Sequence, residues 1–546
     1  MAQHYPDVEE EVEARMTDQE ARSAALGSGL VVDMDRHSTR AVMFDTVGAH
    51  GRFISSAVRH STLLPPNSDG FQGAREAIQQ LEQETGISVL GNNRVETPRV
   101  DGAGVDFVAL TGQPAEPVKI SFLPTGNADL LGTLVAAARR SPTVVELLDR
   151  NVRTDDGVLS GTLVESEIRK FAPDAVVVID GANTQSEWAT AIGTLSSLSA
   201  EGVIDLVIIV ARDQFQQQAA QTMGENADLR GIDPSEFEAA DIAAAIETEL
   251  HSLSEARFDV SDLLPASRHV SFTNRIRAVD LVTTFLARRR EQSVTTVSIG
   301  DGVTIHSATP DSIVTVSRLD MDAHANVRGV LKADTRQTLG WLPIHVSDEE
   351  MHHWVLNRSL RPATVSSSAR DRLLEYAIAT TAIRTAWTGL IGNQPHLHDV
   401  IVGGSALAEW DSPALALLCL LNAFQPDSES GVVEVYLDQD GLMYAAGAMG
   451  DLSPALAADV VERDLLMPLA SVVVVKTTAS EGDLAVRGEI TYASGDSQPF
   501  SVPAGSVHRL DLENDEAAVL TLNCEPGAAV GSSERGATVV LGEQVR

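Results

Sequence analysis

The chain is 546 residues long, 43% hydrophobic and 21% charged, the composition of a globular protein with room for more than one core. Its 77 acidic residues against 40 basic ones give a formal net charge of −37, a surface that repels nucleic acid and anionic membranes, whose binding needs clustered Lys and Arg. No apolar run reaches the roughly eighteen residues of a membrane span, the acidic start has no apolar core of a signal peptide, and the two cysteines, Cys419 and Cys524, lie outside any metal-type spacing; the expected location is the cytoplasm.

Residues 1–26 read as an acidic flexible tail, because Glu9, Glu10 and Glu11 lack basic partners at helical spacing. Residues 27–48 read as strand, turn and strand. An apolar run, Leu30 to Val32, ends in Asp33; a polar turn follows through Asp35, Arg36, His37, Ser38 and Thr39; a second strand begins at Ala41. Backbone N–H groups and hydroxyls in such a turn can wrap a phosphate, while an Asp at the strand end holds a hydrated Mg²⁺. The plainer reading is an edge hairpin. A strand over 52–58, a loop rich in Pro and Asn, an amphipathic helix over 73–85 and strands at 105–110 and 118–122 come next.

From about residue 127 to 226 helices and strands alternate. Helices are predicted at 130–140, 161–170 and 187–198. The continuous apolar run 175–179 is predicted as a strand buried on both faces, and 204–210 as a second buried strand. This is a βαβ region and argues for a parallel sheet. Asp180 and Gly181 stand at the carboxyl end of one strand, where α/β ligands bind, but no glycine fingerprint follows and a turn is expected. Helices follow at 239–253 and 276–290, the latter ending in Arg288, Arg289 and Arg290, which complement the helix dipole.

Residues 294–306 form a second strand, turn and strand, with Gly300, Asp301, Gly302 and Thr304 at the turn. Two hairpins of one kind suggest an internal duplication. Helices at 346–356 and 367–388 lead to a strand at 399–402, which runs into Gly403, Gly404 and Ser405 at an expected helix start, an arrangement suited to backbone contact with a ligand. A helix at 411–423, a strand at 432–437 and a helix at 442–449 follow. From about residue 468 short strands at 472–476, 485–491, 506–512 and 517–522 read as a small β barrel or sandwich.

Other candidate chemistry is sparse. His396 with His398, and His352 with His353, lack the third ligand that zinc requires, so surface histidines are expected. Asp320 and Asp322, with His324 close by, could orient a metal or water, though a loop role is favoured. There is no nucleophile elbow, no Walker loop and no cobalamin-binding D-x-H-x-x-G pattern.

The segments VVDMDRHSTRAVMFD, IGDGVTIHS, LPIHVSDEEMHHWVLNRSLRPATV, HDVIVGGSALAEWDSPALALLCLLNAFQP and DQDGLMYAAGAMG together resemble the MutL/GlmL family. These are accessory proteins of cobalamin-dependent glutamate mutase, within the actin/Hsp70/sugar kinase (ASKHA) superfamily. The likeness runs over about residues 28–530 and is most specific over 342–450. It implies an α/β fold: a duplicated, ribonuclease H-like, two-domain ATPase with an inserted βαβ region and a C-terminal all-β module. The implied domains are 27–292, 293–467 and 468–546. By the same resemblance Asp33, Ser38 and Thr39 meet Mg²⁺ and the phosphates of ATP from the first domain, with Asp33 as the metal residue. Gly300, Gly302 and Thr304 do so from the second domain, and Gly403, Gly404 and Ser405 face the adenosine. The implied action is nucleotide-dependent opening and closing of a cleft, coupled to a mutase-like client protein.

This sequence departs from that family at three turn positions. Asp35 and Asp301 stand where glycine is usual, and Ser298 where an aspartate is usual. A carboxylate about 4 Å from a phosphate charge costs up to about 4 kcal/mol at an effective dielectric near 20, so ATPase activity is expected to be weak at most and no catalytic residue is assigned. The competing expectation is a nucleotide-independent scaffold that keeps the fold. A small-molecule kinase ranks below both, because no phosphoacceptor base can be named.

Overall fold

The computed structural model describes residues 27–48, 50–63, 69–112, 118–126, 130–138, 143–181, 185–204, 206–224, 228–256, 269–300, 302–324, 326–362, 364–391, 398–510, 512, 517–533 and 536–541. The expected acidic tail, residue Asp301 and His396 lie outside them. The chain forms two compact units. One comprises Met1–Val279, Thr315–Asp322 and Tyr444–Val460; the other comprises Asp280–Val314, Ala323–Met443 and Val461–Arg546.

The first unit opens with β1 (Ser28–Met34), β2 (Ser38–Val47) and β3 (His50–His60), an antiparallel meander followed by helix α1 (Gly70–Thr85). After a two-residue ladder of β4 (Leu90–Gly91) with β5 (Arg94–Val95), strand β6 (Phe107–Gly112) pairs parallel to β1. Strand β12 (Val270–Asn274) pairs parallel to β6, giving the order β12-β6-β1-β2-β3. Leu30, Val32 and Met34 alternate onto the face that packs with Ala74, Ala77, Ile78 and Leu81 of α1. Asp69 caps α1, its carboxylate accepting the Phe71 amide.

Between β6 and β12 lies the inserted region, larger than a single βαβ unit. Its strands are β7 (Val118–Gly126), β8 (Thr143–Leu147), β9 (Ala175–Gly181), β10 (Leu206–Val210) and β11 (Asp228–Ile232). They are joined by α2 (Leu131–Ala138), α3 (Gly161–Phe171), α4 (Gln185–Ala200) and α5 (Asp213–Met223), with α6 (Ala239–Ala256) following. All four strand pairs are parallel, in the order β11-β10-β9-β7-β8. The strands read AVVVIDG and LVIIV because both faces are covered. One face packs against α3, α4 and α5, the other against α2 and α6. Asp180 is the penultimate residue of β9 rather than a turn residue, and its carboxylate meets Arg212 at 3.3 Å.

Helix α7 (Arg275–Arg290) follows β12 directly. Strands β13 (Val294–Gly300) and β14 (Gly302–Ala308) form the second hairpin, with β15 (Ile313–Arg318) next to β14. Helices α8 (Val327–Gly340), α9 (Asp348–Leu360) and α10 (Ala369–Ile391) precede β16 (Val400–Ser405). Helix α11 (Pro413–Phe424) and β17 (Val432–Leu437) follow it. Strands β16 and β17 pair parallel to β13 and to each other, and β18 (Met467–Val473) closes the edge: β15-β14-β13-β16-β17-β18. The two main sheets therefore share one plan. Three strands lie side by side in chain order, and the next two run parallel on the far side of the first. Ser347 caps α9 through the Glu350 amide, with Asp348, Glu349 and Glu350 in its first turn.

Helices α12 (Met443–Met449) and α13 (Pro454–Val460) precede β18. The C-terminal β module holds β19 (Val475–Thr477) paired with β23 (Ala528–Val530). Beside this pair is a four-stranded sheet of β21 (Ser497–Pro503), β20 (Leu484–Tyr492), β22 (Ala518–Cys524) and β24 (Gly536–Leu541), in that spatial order. The strand expected at 506–512 is absent among its described residues; the strand is 497–503 instead. Its Pro499 and Pro503 hid it, yet proline is tolerated there because β21 lies at the sheet edge. Among the described residues no helix is long and apolar enough to cross a membrane.

Candidate functional site

The first turn is built by β1 and β2. Asp33 pairs in register with Thr111 on β6 and Arg40 on β2, and Met34 pairs with Thr39. Since Met34 faces α1, Asp33 points to the opposite face, beside Thr111. Thr39 shares the Met34 face: a β-carbon on Gly73 of α1 would stand 3.3 Å from its Oγ1. Asp33 and Thr39 thus leave the sheet on opposite sides.

Arg275, the first residue of α7, fills the space in front of Asp33. Its Nε donates to Asp33 Oδ1 at 2.7 Å, and its Nη2 donates to Asp33 Oδ2 at 2.7 Å and to Asp35 Oδ2 at 2.8 Å. Its guanidinium carbon lies 4.6 Å from the ring centre of Tyr444 on α12. Burial pushes the Asp33 carboxyl above its ordinary value, with Arg275 pulling the other way. Against the cost of burial, Asp33 and Asp35 hold Arg275 well above its own ordinary value, so it stays charged.

Asp35 closes the turn on itself. The amides of His37 and Ser38 donate to its Oδ1 at 2.6 and 2.5 Å, and the Ser38 hydroxyl donates to Oδ2 at 3.1 Å. These are the donors a phosphate would use. Ser38 therefore serves Asp35. Thr39 and Thr111 are fully buried, and neither hydroxyl has a partner among the described residues. A Mg²⁺ on Asp33 does not fit this arrangement, because both carboxylate oxygens already accept from Arg275 and the neighbouring carboxylate shares the same cation.

In the second unit the predicted residues gather at the ends of three adjacent strands. Gly300 pairs with Gly302 and Ser298 with Thr304 across the hairpin. Val297, Ser298 and Ile299 pair with Gly403, Gly404 and Ser405 on β16. Thr304, Ser298 and Gly404 therefore form one row. Gly302 has φ +106°, a backbone region that side chains other than glycine rarely adopt. A β-carbon on Gly403 would crowd Leu420, Leu407 and Leu437 at 3.1 to 3.4 Å, a packing reason for glycine; at Gly404 nothing lies closer than 3.7 Å. The expected helix start at this point is a turn over residues 406–409, and α11 begins at Pro413. Asp438, at the end of β17, donates its amide to Gly403 O at 2.8 Å, and its carboxylate accepts the Leu442 and Met443 amides that open α12.

The remaining candidates have structural roles. His398 is buried rather than on the surface: its Nδ1 lies 2.9 Å from Thr295 Oγ1, and its ring packs between Trp387 and Phe424. Asp320 is held by both arms of Arg318 at 2.8 Å. Arg289 and Arg290 pair with Glu462 and Glu434. Among the described residues no group of three or more His, Cys, Asp or Glu could hold a metal ion. Sequence reasoning missed Arg275, Tyr444 and Asp438. A signal existed for Arg275, since a cation in the first turn of a helix opposes the helix dipole and calls for a nearby acid.

No known protein family matches the sequence, and no curated protein matches it. Solved structures that it resembles include gluconate kinase from Lactobacillus acidophilus (10% identity, 82% of this chain and 94% of that chain, TM-score 0.33). Others are a carbohydrate kinase from Novosphingobium aromaticivorans (14%, 81% and 94%, 0.30) and a ROK family glucokinase from Streptomyces griseus in complex with glucose and AMPPNP (10%, 79% and 99%, 0.30). At TM-scores this low the likeness assigns no residue here a role.

Proposed function

We propose that this chain is a partner-binding protein of actin-like architecture that works without nucleotide, its first phosphate turn closed by its own side chains. The observation that carries the reading is the Asp35 carboxylate, which takes the His37 and Ser38 amides and the Ser38 hydroxyl. A tethered carboxylate acts at a high effective concentration, so a free phosphate competes poorly for the same donors. The shared strand plan of the two main sheets supports the actin-like architecture. The resemblance of residues 342–450 to mutase accessory proteins supports a cobalamin-dependent mutase as the class of client. Isothermal titration with ATP and Mg²⁺ tests the reading: no heat of binding at millimolar nucleotide is expected, and micromolar binding would overturn it. Copurification followed by mass spectrometry tests the client.

A second reading, a nucleotide-driven switch, is favoured by the row of Thr304, Ser298 and Gly404, in which Gly404, unlike Gly403, has no packing reason to be glycine. It predicts that Asp35→Gly, Ser298→Asp and Asp301→Gly together strengthen a measurable ATP affinity of the parent protein. No gain from the triple change removes it.

A further inference from the structure

We infer that Arg275 is the built-in replacement for a divalent cation at the first turn, and that its removal would turn Asp33, Asp35 and Thr111 into a metal site. The inference rests on the reading of residues 33–39 as a retired phosphate turn, and it concerns the cation rather than the nucleotide.

Three observations carry it. The guanidinium bridges three carboxylate oxygens at 2.7 to 2.8 Å, the role a hard cation plays between two acids. It is delivered from the first residue of α7, against the helix dipole, and is steadied by the Tyr444 ring, so its position is specified by side-chain contacts rather than by helix preference. Thr111 Oγ1 is fully buried, lies in register beside Asp33, and has no partner among the described residues. A hydroxyl oxygen in that position is an idle oxygen ligand. Asp33, Asp35 and Arg275 together carry one negative charge, which a dication in place of the guanidinium would bring to neutrality, with Arg40 on the neighbouring strand adding one positive charge beside Asp33.

An ordinary structural ion pair predicts a different result: loss of stability without any response to metal. The test uses the full chain, with Mn²⁺ as the probe, in titration calorimetry and thermal unfolding. Wild type should be indifferent to Mn²⁺ and to chelator. Arg275→Ala should gain Mn²⁺ affinity by roughly tenfold or more and unfold at a higher temperature in Mn²⁺ than in chelator; adding Asp33→Asn should remove both gains. Arg275→Lys, a point charge that cannot bridge three oxygens, should fall between. If Arg275→Ala does not fold unaided, recovery of its circular dichroism by Mn²⁺ supports the inference. Saturable Mn²⁺ binding by wild type that Asp33→Asn abolishes would overturn it. So would a folded Arg275→Ala blind to Mn²⁺, or an unfolded Arg275→Ala that Mn²⁺ does not restore together with a metal-blind Arg275→Lys. Tight ATP binding by wild type would defeat the proposed function while leaving this cation test standing.

Discussion

Gly447 of α12 lies so close to Ala278 of α7 that a β-carbon on it would stand 2.0 Å from the Ala278 carbonyl oxygen. The two helices cross there backbone to backbone. One turn away on each, Tyr444 and Arg275 stack, so the close crossing and the Asp33 ion cluster form one structure. In a free helix Gly→Ala gains up to about 1 kcal/mol. Gly447→Ala should instead cost about 1–3 kcal/mol through overpacking. Gly193→Ala on α4, where nothing lies within 4 Å, should show the ordinary gain. Urea midpoints of the two variants should move in opposite directions.

Arg275→Met should cost about 3–5 kcal/mol near neutral pH, because it leaves the buried Asp33 and the half-buried Asp35 without their shared cation. The loss should shrink in acid. Burial already raises Asp33 above its ordinary value, and Arg275 is the main group pulling it down. Without that pull the folded state binds a proton more tightly than the unfolded one. The associated stability is then present below the unfolded value and is lost as pH rises through the raised folded value. Denaturation midpoints of wild type and variant, in chelator, should converge as pH falls toward about 4; a gap independent of pH would contradict this account.

Burial pushes the Cys419 thiol up to about 12, with the Thr380 hydroxyl pulling weakly the other way. Cys524 is raised less and is half-buried. Iodoacetamide on the native protein should therefore label Cys524 first and reach Cys419 only in denaturant. Mass spectrometry of tryptic peptides reads the order directly, and early labelling of Cys419 would show that its site opens locally.

In the inserted sheet Arg153 donates to Glu187 Oε1 at 2.6 Å, to Oε2 at 3.1 Å and to the Pro124 carbonyl at 3.3 Å. Arg153→Ala removes these charge-assisted hydrogen bonds at the start of α4 and should cost about 1.5–3 kcal/mol. Hydrogen exchange should quicken in β7, β9 and α4 while the amides of β1 and β6 keep their protection. Equal loss in both sheets would mean that the insertion and the first sheet unfold together.

Both hairpins, the two buried strands of the insertion and the strand leading to Gly403 were legible because each is a local pattern: an apolar run bounded by glycine, proline or acid. What stayed hidden depends on contacts remote in sequence. Asp33 reads as a metal residue until Arg275 arrives from far along the chain and occupies both its oxygens. Asp35 reads as a misfit until its carboxylate is seen to satisfy the two amides after it. His398 reads as a surface residue, since nothing local announces Trp387 and Phe424 around it. Strand β21 was disguised by its own prolines, which only an edge position makes harmless.

Strands β6 and β12 are parallel neighbours, with Val108 beside Val270 and Gly112 beside Asn274. Such neighbours need a connection of only about a dozen residues. Here that bridge is residues 113–269, which include a five-stranded sheet with cores of its own on both faces. Apart from the packing of α6 on β12 and the bond from the Val108 amide to the His269 carbonyl, the host sheet needs this passage only to leave one strand and rejoin the next, so recombination could trade most of the cassette for another without redrawing the sheet that carries it.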